Sequence, residues 1–234
     1  MSEWLTYSPL DFLLFSRRTY FRLFELYNVE IWPAQILAFA LGVTILGLLR
    51  GGGAWHGRVI AMLLAAFWLW VAWAYFLERY ATINWVAPYV AVGFTIEAFL
   101  IGAGLILGRL RFRPPSDATS RFGFGIFLFA LVVQPLIGPL AGRKWTQVEI
   151  FGVAPDPTVI GTLGVLLTAT NRSFWELLVI PLAWCAISGT TLWAMDSHDA
   201  VVMPLTAVLV IVLAISKTLS PPRQSSSDGS GRKR

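Results

Sequence analysis

The stretch VAPYVAVGFTIEAFLIGAGLILG, residues 86–108, decides the fold class. Glu97 is its single charged side chain, and the stretch ends directly before Arg109. The hydrocarbon core of a lipid bilayer is about 30 Å thick, and a helix of about 20 apolar residues crosses it. This length and composition therefore predict a helix that spans a membrane.

The rest of the chain repeats this pattern. Hydrophobic residues make up 56% of the 234 residues and charged residues 13%, whereas about a quarter of the residues of a soluble protein are charged. We therefore predict an all-α fold, a polytopic bundle of transmembrane helices surrounded by the lipid bilayer. Five further apolar stretches are long enough to span: 31–49, 59–77, 122–141, 173–195 and 200–216.

A shorter apolar stretch, residues 158–170, decides the topology. Its helix would be about 20 Å long, which is short for a full crossing. Arginines follow residues 86–108, and basic residues recur in the C-terminal tail; both groups should lie in the cytoplasm. They share a side only if 158–170 also crosses. We therefore predict about seven spans, with the N-terminus outside and the C-terminus cytoplasmic. A re-entrant 158–170 is the alternative.

The two ends of the chain differ from the bundle, which we place at residues 31–217. Residues 1–30 alternate aromatic side chains with arginines, a pattern typical of an amphipathic helix at the membrane surface. Ser8 is its predicted N-cap. Such a helix is either a simple anchor or a lid that docks a partner. Residues 218–234 are rich in Ser, Gly and Pro and predict a disordered basic tail in the cytoplasm.

Glu97, at the middle of its predicted span, is the leading candidate for a functional site. An ionised carboxylate is costly in the bilayer core, so Glu97 must be protonated, paired or facing water. As a proton or cation site, it would release its proton when a cavity opens to water. The alternative is a protonated Glu97 whose hydroxyl donates a hydrogen bond to a neighbouring helix.

Gln134 is the predicted partner of Glu97. It precedes Pro135 within the apolar stretch 122–141. A proline inside a helix removes one backbone hydrogen bond and frees a carbonyl that can face a cavity. Prolines in membrane helices also serve as simple packing kinks, so both interpretations stay open.

The elbow FGVAPDPT, residues 151–158, leads into the short helix. Its sequence predicts Asp156 as the N-cap and Pro157 as the first helical residue. Broken helices in transporters aim their positive dipole ends at bound anions. Arg143, on the same predicted side of the membrane, would attract an anion, whereas Asp156 would oppose one. A capped elbow without a ligand is the alternative.

No cofactor or metal site is predicted. The segment DSHD, residues 196–199, groups oxygen and nitrogen ligands, but His56 falls on the opposite side, so we interpret the segment as a polar turn. Haem needs an axial histidine within a span, which neither histidine provides. The chain has no phosphate-binding glycine motif and no nucleophile elbow. The basic residues that give the net charge of +5 lie beside apolar stretches, so we interpret them as membrane anchors. Neither an enzyme nor a nucleic-acid-binding protein is predicted.

The chain contains three short motifs: Tyr27-Asn28 with Trp32-Pro33-Ala34-Gln35, Ile83-Asn84, and residues 151–158 leading into Thr162-Leu163-Gly164. Together they resemble a family of uncharacterised bacterial multi-pass membrane proteins, sometimes labelled permease-like. The resemblance implies a helical bundle in the bacterial inner (cell) membrane and brings no activity with it. It also implies that relatives can carry Gln at the position of Glu97, which favours a hydrogen-bonding role there.

Two function hypotheses follow. The first is a small-solute or ion transporter whose pathway is formed by Glu97, Gln134, Asp156 and Thr158. The second is a non-transporting membrane subunit or assembly factor, bound through its N-terminal helix to a membrane-protein partner or to a second copy of the chain. A transporter should lose its ligand on Glu97→Gln, whereas a subunit should keep its partners.

Overall fold

The computed structural model describes residues 15–51, 53–106, 111–112, 114–170 and 175–219. Within those ranges the chain forms α-helices, two π-helical segments and short 3-10 turns, and one isolated backbone bridge pairs Phe112 with Ala169. The predicted all-α fold is confirmed. The α-helices are α1 Arg17–Glu30, α2 Ala34–Gly51, α3 Ala54–Trp70, α4 Ala87–Ile106, α5 Ala118–Leu128, α6 Gln134–Leu140, α7 Pro155–Thr168, α8 Val179–Ala194 and α9 Val202–Leu219.

Six helical segments are long and apolar enough to cross a membrane, and each contains most of one predicted long stretch. Every one of them exposes large apolar side chains, such as Leu37 (62%), Phe99 (69%) and Val208 (61%). Contiguous apolar surface of this kind is unfavourable in water and matches the acyl chains of a bilayer. The segments are Ala34–Gly51, Trp55–Thr82, Ala87–Gly104, Ala118–Leu140, Trp175–Ala194 and Val202–Leu219.

Two of these segments contain π-helical turns. Val71–Leu77 continues α3, and Phe129–Val133 joins α5 to α6. The second has a local cause, because Pro135 lacks an N–H and its ring would collide with the carbonyl four residues earlier. A widened turn before Pro135 accommodates both effects. The predicted break at Gln134-Pro135 is therefore a π segment inside a continuous span.

The short helix α7 lies at the centre of the bundle, and all 14 of its residues are buried. At 1.5 Å per residue it is about 21 Å long. It begins at Pro155 after an extended Ala154, so the predicted N-cap at Asp156 is wrong. Pro155 already has the backbone geometry of a first helical residue, which moves the helix start ahead of Asp156 and frees its carboxylate for other partners.

The two ends of α7 lie at opposite ends of the bundle. Beyond its last turn, the backbone N–H of Thr170 donates to the carbonyl of Arg111 (2.8 Å). Lys217, near the end of α9, donates from Nζ to the carbonyls of Leu167 (2.8 Å) and Ala169. Arg111 and Lys217 therefore share one end of the bundle, as a seven-pass arrangement requires. The side of the membrane that this end faces stays a prediction.

Helices α5 and α7 touch through their backbones. A Cβ added to Gly123 would lie 2.6 Å from the carbonyl oxygen of Gly164, and one added to Gly164 would lie 2.7 Å from that of Gly123. Small residues at such a crossing let membrane helices approach closely. On another face of α7, Trp68 Nε1 donates to Thr162 Oγ1 (2.9 Å), so Thr162 also serves packing.

Helix α1 packs across the end of the bundle where α7 begins. Its buried face consists of Tyr20, Phe21, Leu23, Phe24 and Tyr27. The Tyr27 hydroxyl donates to the Val153 carbonyl (2.8 Å), which ties α1 to the elbow. The described aromatic residues of α1 therefore pack against protein. Ser16 caps α1 by accepting from the N–H of Thr19, while the predicted start at Ser8 lies outside the described residues. Of the predicted disordered tail, Thr218 and Leu219 belong to α9, and residues 220–234 lie outside the described residues.

Candidate functional site

A buried cluster of charged side chains lies beside the start of α7. The Arg143 guanidinium donates to Glu149 Oε1 (3.3 Å) and to Asp199 Oδ2 (2.5 Å). The three side chains are only 12%, 6% and 13% exposed, respectively. One cation thus serves two carboxylates in a region with little water. Ser197 donates a further hydrogen bond to Asp199 Oδ1 (2.5 Å).

Asp156 adds a third carboxylate to this cluster. It is 2% exposed and lies in the first turn of α7, where the positive end of the helix dipole favours a negative charge. Helix α8 supplies two side-chain donors: Trp184 Nε1 donates to Oδ1 (2.8 Å), and Ser188 Oγ donates to Oδ2 (2.6 Å). Both donors are neutral, and Asp156 forms no ion pair with the described residues.

The cluster encloses a cavity of about 10 Å³, which is the size of a single water molecule. A cavity of this size has no room for an organic solute. Within the described ranges, no group of three His, Cys, Asp or Glu side chains is arranged to hold a metal ion. The cavity is lined by Gln134, Ile137, Arg143, Glu149, Asp156, Leu192, Asp199, Val202 and Met203.

Gln134 supplies an acceptor that lacks a donor. Its Oε1 atom is buried and has no hydrogen-bond partner among the described residues, although Gln134 lines the cavity with Glu149 and Asp156. Ionised carboxylates are acceptors only, so they cannot satisfy it, whereas a protonated carboxyl or a water molecule can donate. A donor to Gln134 is therefore either a protonated carboxyl of the cluster or a water molecule in the cavity.

The electrostatics of the cluster favour bound protons. Burial raises the pKa of Glu149 well above its ordinary value of 4.5, and the charges of Asp156 and Asp199 raise it further, while Arg143 opposes the shift. Three carboxylates line the cavity, and the one guanidinium there pairs with two of them. Like charges in a poorly solvated site disfavour simultaneous ionisation. Burial and the repulsion between the carboxylates therefore favour a proton bound within the cluster.

Glu97 occupies a separate position. It is fully buried in α4, and neither of its carboxylate oxygens has a hydrogen-bond partner in the part of the chain that the structure describes. The predicted pairing with Gln134 is wrong, because Gln134 lines the Asp156 cavity instead. One turn before Glu97, the Phe94 ring contacts Trp184 at 5.5 Å between centroids. Trp184 in turn donates to Asp156.

A protein-family profile matches residues 17–225 and is described as a family of unknown function, DUF6064. The chain belongs to the DUF6064 family. The match begins at α1 and extends beyond α9, so it covers the bundle and every residue of the cluster. No curated protein and no solved structure matches this DUF6064 protein. The resemblance to an uncharacterised family is confirmed, and that family carries no activity to transfer.

Thr158 has a structural role in the DUF6064 bundle. Its hydroxyl donates to the Ala154 carbonyl (2.6 Å) and accepts from the N–H of Gly152 (2.9 Å). Gly152 has φ +87°, a conformation that glycine adopts readily. These bonds close the elbow. Of the four residues predicted to form a pathway, only Gln134 and Asp156 line the same cavity.

Most residues of the cluster in this DUF6064 protein are not recognisable as site residues from the sequence. Glu149 lies in a short polar loop without a recognisable motif, and Asp199 was interpreted as part of a polar turn. Arg143 was considered only as an attractor for anions. A usable signal did exist in α8, because Trp184 and Ser188 are four residues apart and therefore lie on one helix face.

Proposed function

We propose that this DUF6064 protein is an ion transporter whose ion is the proton, with the carboxylates around the start of α7 as its binding site. The observation that carries the proposal is the charge balance of the cluster. Glu149, Asp156 and Asp199 line one cavity with the single guanidinium of Arg143. The buried Oε1 atom of Gln134 has no donor among the described residues. One bound proton reduces the excess of negative charge and creates a carboxyl group that can donate a hydrogen bond.

The size of the cavity limits the choice of ligand. A space of about 10 Å³ holds a water molecule at most, so it accommodates a proton or a hydrated proton and excludes a sugar, an amino acid or a nucleotide. Asp156 is the proposed exchange group, because its side-chain donors in α8, Trp184 and Ser188, are both neutral. Arg143 already pairs with Glu149 and Asp199, and it orients both carboxylates.

Glu97 is the proposed second carrier. It lies about 15 Å along α4 from the end where the cluster is found, which is near the middle of a span. Buried carboxylates in membrane helices often belong to proton relays. In this proposal the α1 end faces the outside, protons enter at the cluster, and Glu97 carries them toward the cytoplasmic end of the bundle.

The direct test is proton flux into proteoliposomes under an imposed membrane potential, followed with an enclosed pH-sensitive dye. The natural sequence should acidify or alkalinise the lumen faster than empty liposomes, and Asp156→Asn should abolish the difference. Glu78→Gln is the matched control, because it removes a carboxylate that is exposed at the same end of the bundle. No flux above that of empty liposomes with the natural sequence, or equal flux with Asp156→Asn, would refute the proposal.

A second candidate function is that of a membrane subunit or assembly factor. It is favoured by an open groove of 460 Å³ beside α1, which exposes Val29 (65%), Trp32 (65%) and Trp145 (70%). Gln35 also lines the groove, and its buried Oε1 atom has no partner in the described ranges. Native mass spectrometry of gently extracted protein separates the candidates. A partner retained at fixed stoichiometry by both the natural sequence and Asp156→Asn favours the subunit.

A further inference from the structure

A large charged cavity lies on the opposite side of α1 from its packed aromatic face. It has a volume of 1070 Å³ and is bounded by α1, the turn after the Val71–Leu77 segment and the loop before α7. Four cations and three carboxylates line it: Arg18, Arg22, Arg79, Lys144, Glu25, Glu30 and Glu78. The proton cluster described above uses none of these side chains.

The cations of this cavity retain unused hydrogen-bond donors. Arg22 and Lys144 both approach Glu25 Oε1, at 2.8 Å and 3.5 Å, yet they stay 57% and 67% exposed. Arg79 pairs with Glu30. A guanidinium has five N–H donors and an ammonium has three, so these carboxylates do not saturate the four cations. The lining has a surplus of positive charge and of donors, which suits a phosphate group.

The cavity also has an apolar edge. Leu26 (53% exposed) and Val29 (65% exposed) lie on the open side of α1, and both line the cavity together with Leu23 and Ile83. Soluble anions need no such surface. A ligand with a charged head and an apolar tail matches the arrangement.

Exposed aromatic side chains fix the depth of the cavity relative to the bilayer. Trp32, Trp85 and Trp145 are 65%, 69% and 70% exposed, and Tyr89 is 70% exposed. They lie at the end of the bundle that carries α1, and Trp85 follows two residues after Ile83 of the cavity lining. Tryptophan and tyrosine gather at the headgroup level of membranes. The cavity therefore lies where lipid headgroups lie.

We infer that this cavity binds the headgroup of an anionic phospholipid, with the phosphodiester at Arg22, Arg79 and Lys144 and the acyl chains leaving past Leu26 and Val29. The inference is independent of the proton-transport proposal, because the two sites share no residue.

The test is native mass spectrometry of the full chain in detergent, titrated with phosphatidylglycerol or with phosphatidylcholine of the same acyl chains. The natural sequence should retain phosphatidylglycerol preferentially. Lys144→Gln should weaken that retention about five-fold, the effect of about one cation near a lipid surface. Arg58→Gln is the control, because Arg58 is exposed near the start of α3, at the other end of that span.

Glu30→Gln separates an electrostatic role from a structural one. It removes a carboxylate and frees Arg79, so it should strengthen phosphatidylglycerol retention, whereas damage to the cavity would weaken it. The inference is overturned if Lys144→Gln and Arg58→Gln behave alike, or if Glu30→Gln lowers retention. It is also overturned if glycerol phosphate binds as tightly as phosphatidylglycerol, since the acyl chains would then contribute nothing and the site would bind free phosphate esters rather than a lipid.

Discussion

Glu97 and Asp156 are both carboxylic acids buried inside the same helical bundle, yet their surroundings differ. Asp156 accepts hydrogen bonds from Trp184 and Ser188 and lies beside Arg143 in the charged cluster. Neither oxygen of Glu97 has a partner among the described residues. A fully buried carboxyl without donors is most stable with its own proton bound. Glu97 is conspicuous in the sequence only because it is a single charge in an apolar stretch. The Asp156 region is a candidate site because several polar side chains bind one another there.

The largest expected effect is on stability and tests whether the cluster depends on its one cation. Arg143→Gln would leave Glu149 and Asp199 buried without a counter-charge, and the loss of one partner of a buried ion pair costs about 3–5 kcal/mol. Thermal unfolding in detergent measures this loss of stability. Lys144→Gln is the neighbouring control, since Lys144 is 67% exposed and its loss should cost under about 1 kcal/mol. Equal losses in the two variants would contradict this account of the cluster.

The pH dependence of stability should distinguish the buried Glu149 from an exposed carboxylate. Because folding raises the pKa of Glu149 above 4.5, the folded state binds more protons than the unfolded state above that pH. The stabilising contribution is complete below pH 4.5 and is lost as pH rises through the raised pKa. The slope reaches about 1.4 kcal/mol per pH unit for one proton.

Melting temperatures recorded from pH 4.5 upward in detergent should therefore fall less steeply for Glu149→Gln than for the natural sequence. Glu78→Gln, at an exposed position, should keep the natural slope. If Glu149→Gln follows the natural curve in parallel, folding does not raise the pKa of Glu149.

The smallest expected change in stability is that of a Glu97 variant. Glu97→Gln replaces a carboxyl by an amide of the same size where no hydrogen bond is lost, so it should cost under about 1 kcal/mol in detergent unfolding. In proteoliposomes the same variant should stop proton flux, because an amide cannot carry a proton. A stable variant with natural flux would show that Glu97 is a structural residue and not a carrier.

Much of the fold could be predicted because the hydrocarbon core of a bilayer restricts the length and composition of the helices that cross it. A span must be long and apolar, and the six long stretches satisfy this without reference to their neighbours. The short 158–170 stretch was identified as decisive for the same reason. Its start was misplaced, because Pro155 and Pro157 are both acceptable first helical residues and the local sequence does not choose between them.

The candidate site could be predicted only in part, because it is made of long-range contacts. Gln134 and Asp156 were noticed for local reasons, a proline kink and a helix start. Their common cavity depends on Arg143, which reaches Asp199 across 56 positions of sequence. No periodicity or short motif in the sequence predicts such a long-range contact. A lone buried charge such as Glu97 is visible in a sequence, whereas a charge cluster assembled from several loops is not.

The complete burial of α7 has a consequence for how the protein is made. A segment of 14 residues with no lipid-facing side, and with Asp156, Thr158 and Thr162 among them, has a poor intrinsic tendency to leave an insertion channel for lipid. It gains its environment only when α8 and α9 are present to enclose it and Lys217 is available to bind its last carbonyls. We therefore expect α7 to reach its buried position only after α8 and α9 have entered the bilayer, so that its order of insertion would differ from its order in the sequence.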